Sequence, residues 1–217
     1  MQASSSSHTV TYVVLALLGG AVIGYWASVV MRTTSGGEIS PARCTLRTAM
    51  RRLWADHVIW TRNYIISALA DLPDLKDVTE RLLKNQDDIG AAIAVYYSPD
   101  AGKKLTELLR EHILIAGEVV GAAKANHTAE LAKANDKWYK NAQEIAKFLS
   151  DANPNWTYDG LVKMFNMHLK LTTDEVVARI QKNWKNDINA FDEVFNEILN
   201  MSDQLTKGIV DQFPEKF

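Results

Sequence analysis

The chain has 217 residues, 47% hydrophobic and 23% charged, enough apolar material to bury one core in a single domain. Its net charge of −2 supplies no bulk attraction to nucleic acid, which is excluded as a partner on that ground. The one cysteine, Cys44, excludes an internal disulfide and any thiolate-rich zinc or iron–sulfur site, and with only five prolines, eleven glycines and no strand-like alternation the chain reads as all-α.

Residues 1–9 form a short polar tail. Residues 10–31, Val10 to Met31, carry no charge, and 22 apolar-rich residues span roughly 33 Å as a helix, the thickness of a bilayer core. The segment is therefore predicted to be a transmembrane helix. A cleaved secretory signal is disfavoured, because no Lys or Arg precedes the run and the run is too long. Arg32, Arg43, Arg47, Arg51 and Arg52 follow it, so the positive-inside rule puts the rest of the chain on the cytoplasmic side of a single-pass membrane protein. Ala16, Gly20, Gly24 and Ser28 recur every fourth residue, a small-residue stripe through which two copies can pack as a homo-oligomer within the lipid bilayer.

Residues 32–40 read as a linker, and residues 41–217 as a soluble bundle of about six helices. Ser40-Pro41 is a helix start, followed by Leu46, Met50, Leu53, His57, Trp60 and Tyr64 at helical steps. Asp71-Leu-Pro-Asp74 ends that helix, and a second carries Val78, Leu82, Ile89 and Ile93 to about Tyr96. A third begins at Ser98-Pro99 and carries Leu105, Leu109, Ile113 and Val120. Thr128 is expected to cap a fourth through Leu131, Trp138, Ile145 and Leu149, up to a loop at Asn153-Pro154-Asn155. The last two helices are expected at about 158–181 and 184–211.

The odd helices echo one another: Asp56-His57-Val58, Glu111-His112-Ile113 and Met167-His168-Leu169 place histidines 55 and 56 residues apart. The even helices answer with Lys84-Asn85, Lys140-Asn141 and Asn196-Glu197. A helical hairpin repeated three times accounts for both series. Each histidine continues an apolar stripe and must find a buried partner. Asp88, Glu144 and Glu197, which follow the histidines by 31, 32 and 29 residues, are the expected acids on the facing helices.

Two chemistries fit that pattern. In one, His57, His112 and His168 with Asp88, Glu144 and Glu197 ligate a transition metal such as iron, manganese or zinc, as inward His and carboxylate side chains do in helical bundles. In the other, each is a core histidine hydrogen-bonded across its hairpin. The Glu-x-x-His pairs of di-iron bundles and His-Glu-x-x-His are absent, as are the P-loop, Gly-x-Gly-x-x-Gly and Gly-x-Ser-x-Gly motifs.

The stretches Leu53-Trp-Ala-Asp-His57-Val-Ile-Trp-Thr-Arg-Asn-Tyr-Ile-Ile-Ser67, Arg81-Leu-Leu-Lys-Asn85, His112-Ile-Leu-Ile-Ala116, Asn153-Pro-Asn-Trp156 and Gly208-Ile-Val-Asp-Gln-Phe-Pro214 carry a resemblance. From about Leu46 to the C-terminus the chain resembles a family of small helical proteins of bacteria and large DNA viruses. The resemblance implies a helical fold and no defined activity. Labels of glycosyltransferase or acetylglutamate kinase attached to some members need folds that an all-helical chain does not provide. The expected function is that of a membrane-anchored, non-enzymatic helical module that binds an unidentified protein partner or scaffolds. A metal-binding or metal-dependent bundle and a virion membrane protein are the alternatives.

Overall fold

The computed structural model of the protein describes residues 40–217. They form six helices: α1 (Pro41–Ala70), α2 (Leu75–Ala94), α3 (Pro99–Lys124), α4 (Thr128–Ala152), α5 (Tyr158–Ile180) and α6 (Trp184–Gln212), with a short 3-10 turn at Pro214–Lys216. The all-α expectation holds, and the helix limits fall within two residues of those read from the sequence. The predicted membrane span at 10–31 and its stripe of Ala16, Gly20, Gly24 and Ser28 lie outside the described residues. Among the described residues no helix is long and apolar enough to cross a membrane.

The helix starts follow from local chemistry. The Ser40 and Ser98 side chains accept from the backbone N–H groups of Arg43 and Ala101, and each is followed by a proline, which has no N–H to leave unpaired in the first turn. Thr157 and Asn183 cap α5 and α6 the same way. Thr128 departs from expectation: it is the first residue of α4, and the preceding His127 makes no side-chain cap bond. Three helices end alike. Asp71, Asn126 and Lys182 adopt φ of 53°, 55° and 57°, the left-handed conformation that closes a helix. In each case the next N–H turns back to a carbonyl five residues earlier: Leu72 to Ser67, His127 to Ala122 and Asn183 to Ala178, at 2.9–3.0 Å. These turns are 55 and 56 residues apart, as the histidines are.

Each helix packs against its neighbours in sequence, and α6 closes the ring by packing along α1. Arg47 of α1 grips Asp203 of α6 with two hydrogen bonds of 3.0 and 2.8 Å, and Arg51 is a second partner at 3.1 Å. At the crossing of α2 and α3, Gly90 and Gly102 face each other so closely that a Cβ on either would lie 2.6 Å from the other's carbonyl oxygen. Inside the ring the odd helices carry their large buried residues at matched levels: Met50, Leu105 and Leu161, then Trp54, Leu109 and Phe165, and further on Ile65, Val120 and Val176, which form a cluster of their own. The even helices do likewise, with Leu82, Trp138 and Val194, then Ile89, Ile145 and Met201, then Ile93, Leu149 and Leu205.

Candidate functional site: a buried histidine layer

The three histidines meet. Between the Trp54 and Ile65 levels, His57, His112 and His168 are each at most 5% exposed, and the rings of His57 and His168 lie 5.7 Å apart between centroids. The inner helices place them there because each continues the stripe that buries its neighbours three and four residues away.

Every imidazole is tied to the even helix of its own hairpin, always to a residue 29 positions later. His57 Nδ1 accepts from the Gln86 amide at 3.3 Å. His112 Nδ1 donates to Asn141 Oδ1 at 2.8 Å, and its Nε2 accepts the Trp138 indole N–H at 3.1 Å. His168 Nδ1 donates to Glu197 Oε2 at 3.0 Å. The amides are anchored in turn: Asn85 and Asn141 donate to the carbonyls of Leu53 and Leu108, each one turn before the histidine of its hairpin.

This network fixes protonation. With the indole N–H directed at its Nε2, His112 must carry its single proton on Nδ1, and a second proton on Nε2 would break that bond. Burial pushes the His112 imidazole down from 6.5 to about 4, against the opposing pull of Asn141. His57 is held well below the ordinary histidine value, first by burial and then by the neighbouring His168 and His112.

Of the acids expected beside the histidines, only Glu197 is there. Asp88 is half-buried on another face of α2 and pairs with Lys84 one turn away. Glu144 is exposed on α4, lining an open surface cleft with Lys140 and Lys147. Gln86 and Asn141 occupy the places assigned to them. Among the described residues no three His, Cys, Asp or Glu side chains are grouped so as to hold a metal ion.

A second polar cluster escaped the sequence reading. Beyond the histidine layer, Arg62 of α1 meets Glu175 of α5 at 2.6 Å and Asp187 of α6 through two bonds of 3.1 Å, and Arg179 reaches Asp187 at 2.8 Å. Both carboxylates are 1% exposed. Burial raises Glu175 to about 7, although Arg62 draws it down. The signal was available: Glu175 continues Phe165–His168–Thr172, and Asp187 begins the stripe Ala190–Val194–Ile198, so each is an acid on a buried face. Arg62 also stacks on Phe191, 4.6 Å from the ring centre, and Arg179 lies 5.4 Å from that of Trp184.

Comparison with protein-family models, with curated proteins and with solved structures returned no match.

Proposed function

We propose that the protein is a helical docking module, tethered by its N-terminal apolar segment to a membrane and presenting the bundle on the cytoplasmic side. One observation carries the docking part. At the α5–α6 corner, large apolar side chains are left in solvent: Val177 (42% exposed), Ile180 (38%), Trp184 (53%) and Ile188 (55%), at helical spacing along the two helices. A cleft of about 320 Å³ lies beside Ile180 and Trp184, bounded also by Leu69, Lys124, Arg179 and Lys182. An exposed aromatic anchor rimmed by basic side chains suits a partner segment carrying an apolar residue flanked by acids. The interior histidines, in this reading, specify how the three hairpins pair. A triplicated hairpin, each copy with one buried His-to-even-helix bond, fits the 55- and 56-residue spacing of histidines and turns.

The test is site-specific photo-crosslinking in cells from position 188, with exposed Lys133 on α4 as the control site. A protein adduct from 188 alone, lost when Trp184→Ser is added, is expected. Equal adducts from both positions, or none from 188, would remove the docking surface. Membrane attachment is read by alkaline extraction of the full chain, which should leave it in the pellet.

A second reading, metal binding by His57, His112 and His168 with Glu197, is favoured by one feature. Nδ1 of His112 and of His168 donates to an even-helix oxygen, which is how metal-bound imidazoles are oriented, whereas Nδ1 of His57 accepts from Gln86 and would have to give up that bond. A metal would have to displace the Trp138 indole from His112 Nε2. Elemental analysis of chain purified without chelator decides it: stoichiometric metal that disappears in a folded His57→Gln/His112→Gln/His168→Gln variant supports this reading, and metal-free folded protein ends it.

A further inference from the structure

Just beyond the histidine layer the core does not fill. One turn after each histidine the inner helices carry Thr61, Ala116 and Thr172, small residues, whereas one turn before stand Leu53, Leu108 and Met164. The next level is Ile65, Val120 and Val176. These two levels bound a cavity of about 70 Å³, walled also by Leu82, Ile113 and the Trp138 ring. No charged side chain borders it. The hydroxyls of Thr61, Thr172 and Thr173 bond to the carbonyls of His57, His168 and Leu169 on their own helices, so the polar valences of these threonines are met away from the void.

One polar atom does not fit an empty apolar void. Asn135 of α4 borders the cavity, and its Oδ1 is buried with no hydrogen-bond partner. A buried acceptor left unpaired is costly, and a donor brought by a ligand would satisfy it. Asn135 and Leu131 are only half-buried and Val177 is exposed, so the cavity comes nearest to solvent between α4 and α5.

We infer that this cavity binds a small, uncharged molecule with an apolar body and one hydrogen-bond donor, of the class of a short-chain alcohol. The body lies against Ile113, Val120 and Val176, and the donor meets Asn135 Oδ1 at the α4–α5 side. A dry apolar cavity of roughly 150 Å³ admits benzene, so one about half that size suits a two-carbon alcohol or a single xenon atom. A charged analogue is rejected, because nothing in the wall compensates an ion.

Xenon NMR on the full chain supplies the test, with ethanol and acetate as competitors. A bound-xenon signal is expected, displaced by ethanol and not by acetate. Ala116→Leu, which fills the cavity, should weaken xenon binding at least tenfold, and Val120→Ile serves if that variant fails to fold. Asn135→Leu should keep xenon and weaken ethanol about tenfold. Xenon binding unchanged in a folded filling variant would overturn the site. Displacement by acetate as readily as by ethanol, or ethanol competition untouched by Asn135→Leu, would overturn the ligand class.

Discussion

At the scale of single residues, the buried titratable groups make opposite demands on pH. His57 and His112 bind protons less readily in the folded chain than in the unfolded one. Their contribution is complete above about pH 6.5 and is lost as pH falls toward 4, with about 3 kcal/mol at stake for His112 alone. Glu175 is displaced the other way, from 4.5 to about 7, so it binds protons more readily when folded and costs stability as pH rises through that interval. Two groups oppose one. Urea denaturation at a series of pH values should therefore show stability declining from pH 6.5 to 4. Glu175→Gln, which removes the opposing group, should make the decline steeper. A flat profile in both would show that the imidazoles are not neutral and buried. The sequence placed the histidines on buried faces correctly and misplaced two of their partners. Near 100° per residue, Asp88 lies roughly 200° around α2 from Gln86, so a two-residue error in hairpin register exchanges a buried amide for a side chain on another face.

At the scale of elements, the three left-handed turns are the simplest place to test the repeat. A residue with a Cβ in that conformation costs about 1–2 kcal/mol, less for Asn and Asp. Replacement by glycine should then raise the melting temperature most at Lys182, less at Asp71 and least at Asn126. Lys182→Val should lower stability by about 1 kcal/mol or more. Thermal denaturation followed by helical circular dichroism checks the ranking, and a loss of stability with glycine at all three positions would contradict it. The breaks at Asp71–Asp74, Ser98–Pro99 and Asn153–Asn155 were legible because proline and capping side chains act within a few residues. The meeting of the three imidazoles was not legible, since it depends on how α1, α3 and α5 approach across the ring. That approach is set by α6 packing on α1, about 150 residues away in sequence.

At the scale of the whole molecule, the described residues bury one main core that runs through all six helices, with the smaller Ile65–Val120–Val176 cluster beside it. Each hairpin alone would expose its histidine and its apolar face, so the hairpins stabilise only as a set. A chain beginning at Ser40 is therefore expected to be strongly helical and to melt in one cooperative transition, with fluorescence and circular dichroism coinciding. A β-rich spectrum, or separate melting of the hairpins, would refute that description.

The seam between α1 and α6, held by Arg47, Arg51 and Asp203, brings the two termini of the bundle to one end, where the α2–α3 and α4–α5 connections also lie. The order of the hairpins along the chain is then a matter of where the backbone is cut. Joining Phe217 to Ser40 through a short flexible link and opening the chain at Ser98 would turn the second hairpin into the first while leaving each hairpin and the histidine layer in place. For the architecture the peptide bonds between hairpins are interchangeable, and only the order in which they leave the ribosome distinguishes one hairpin from the next.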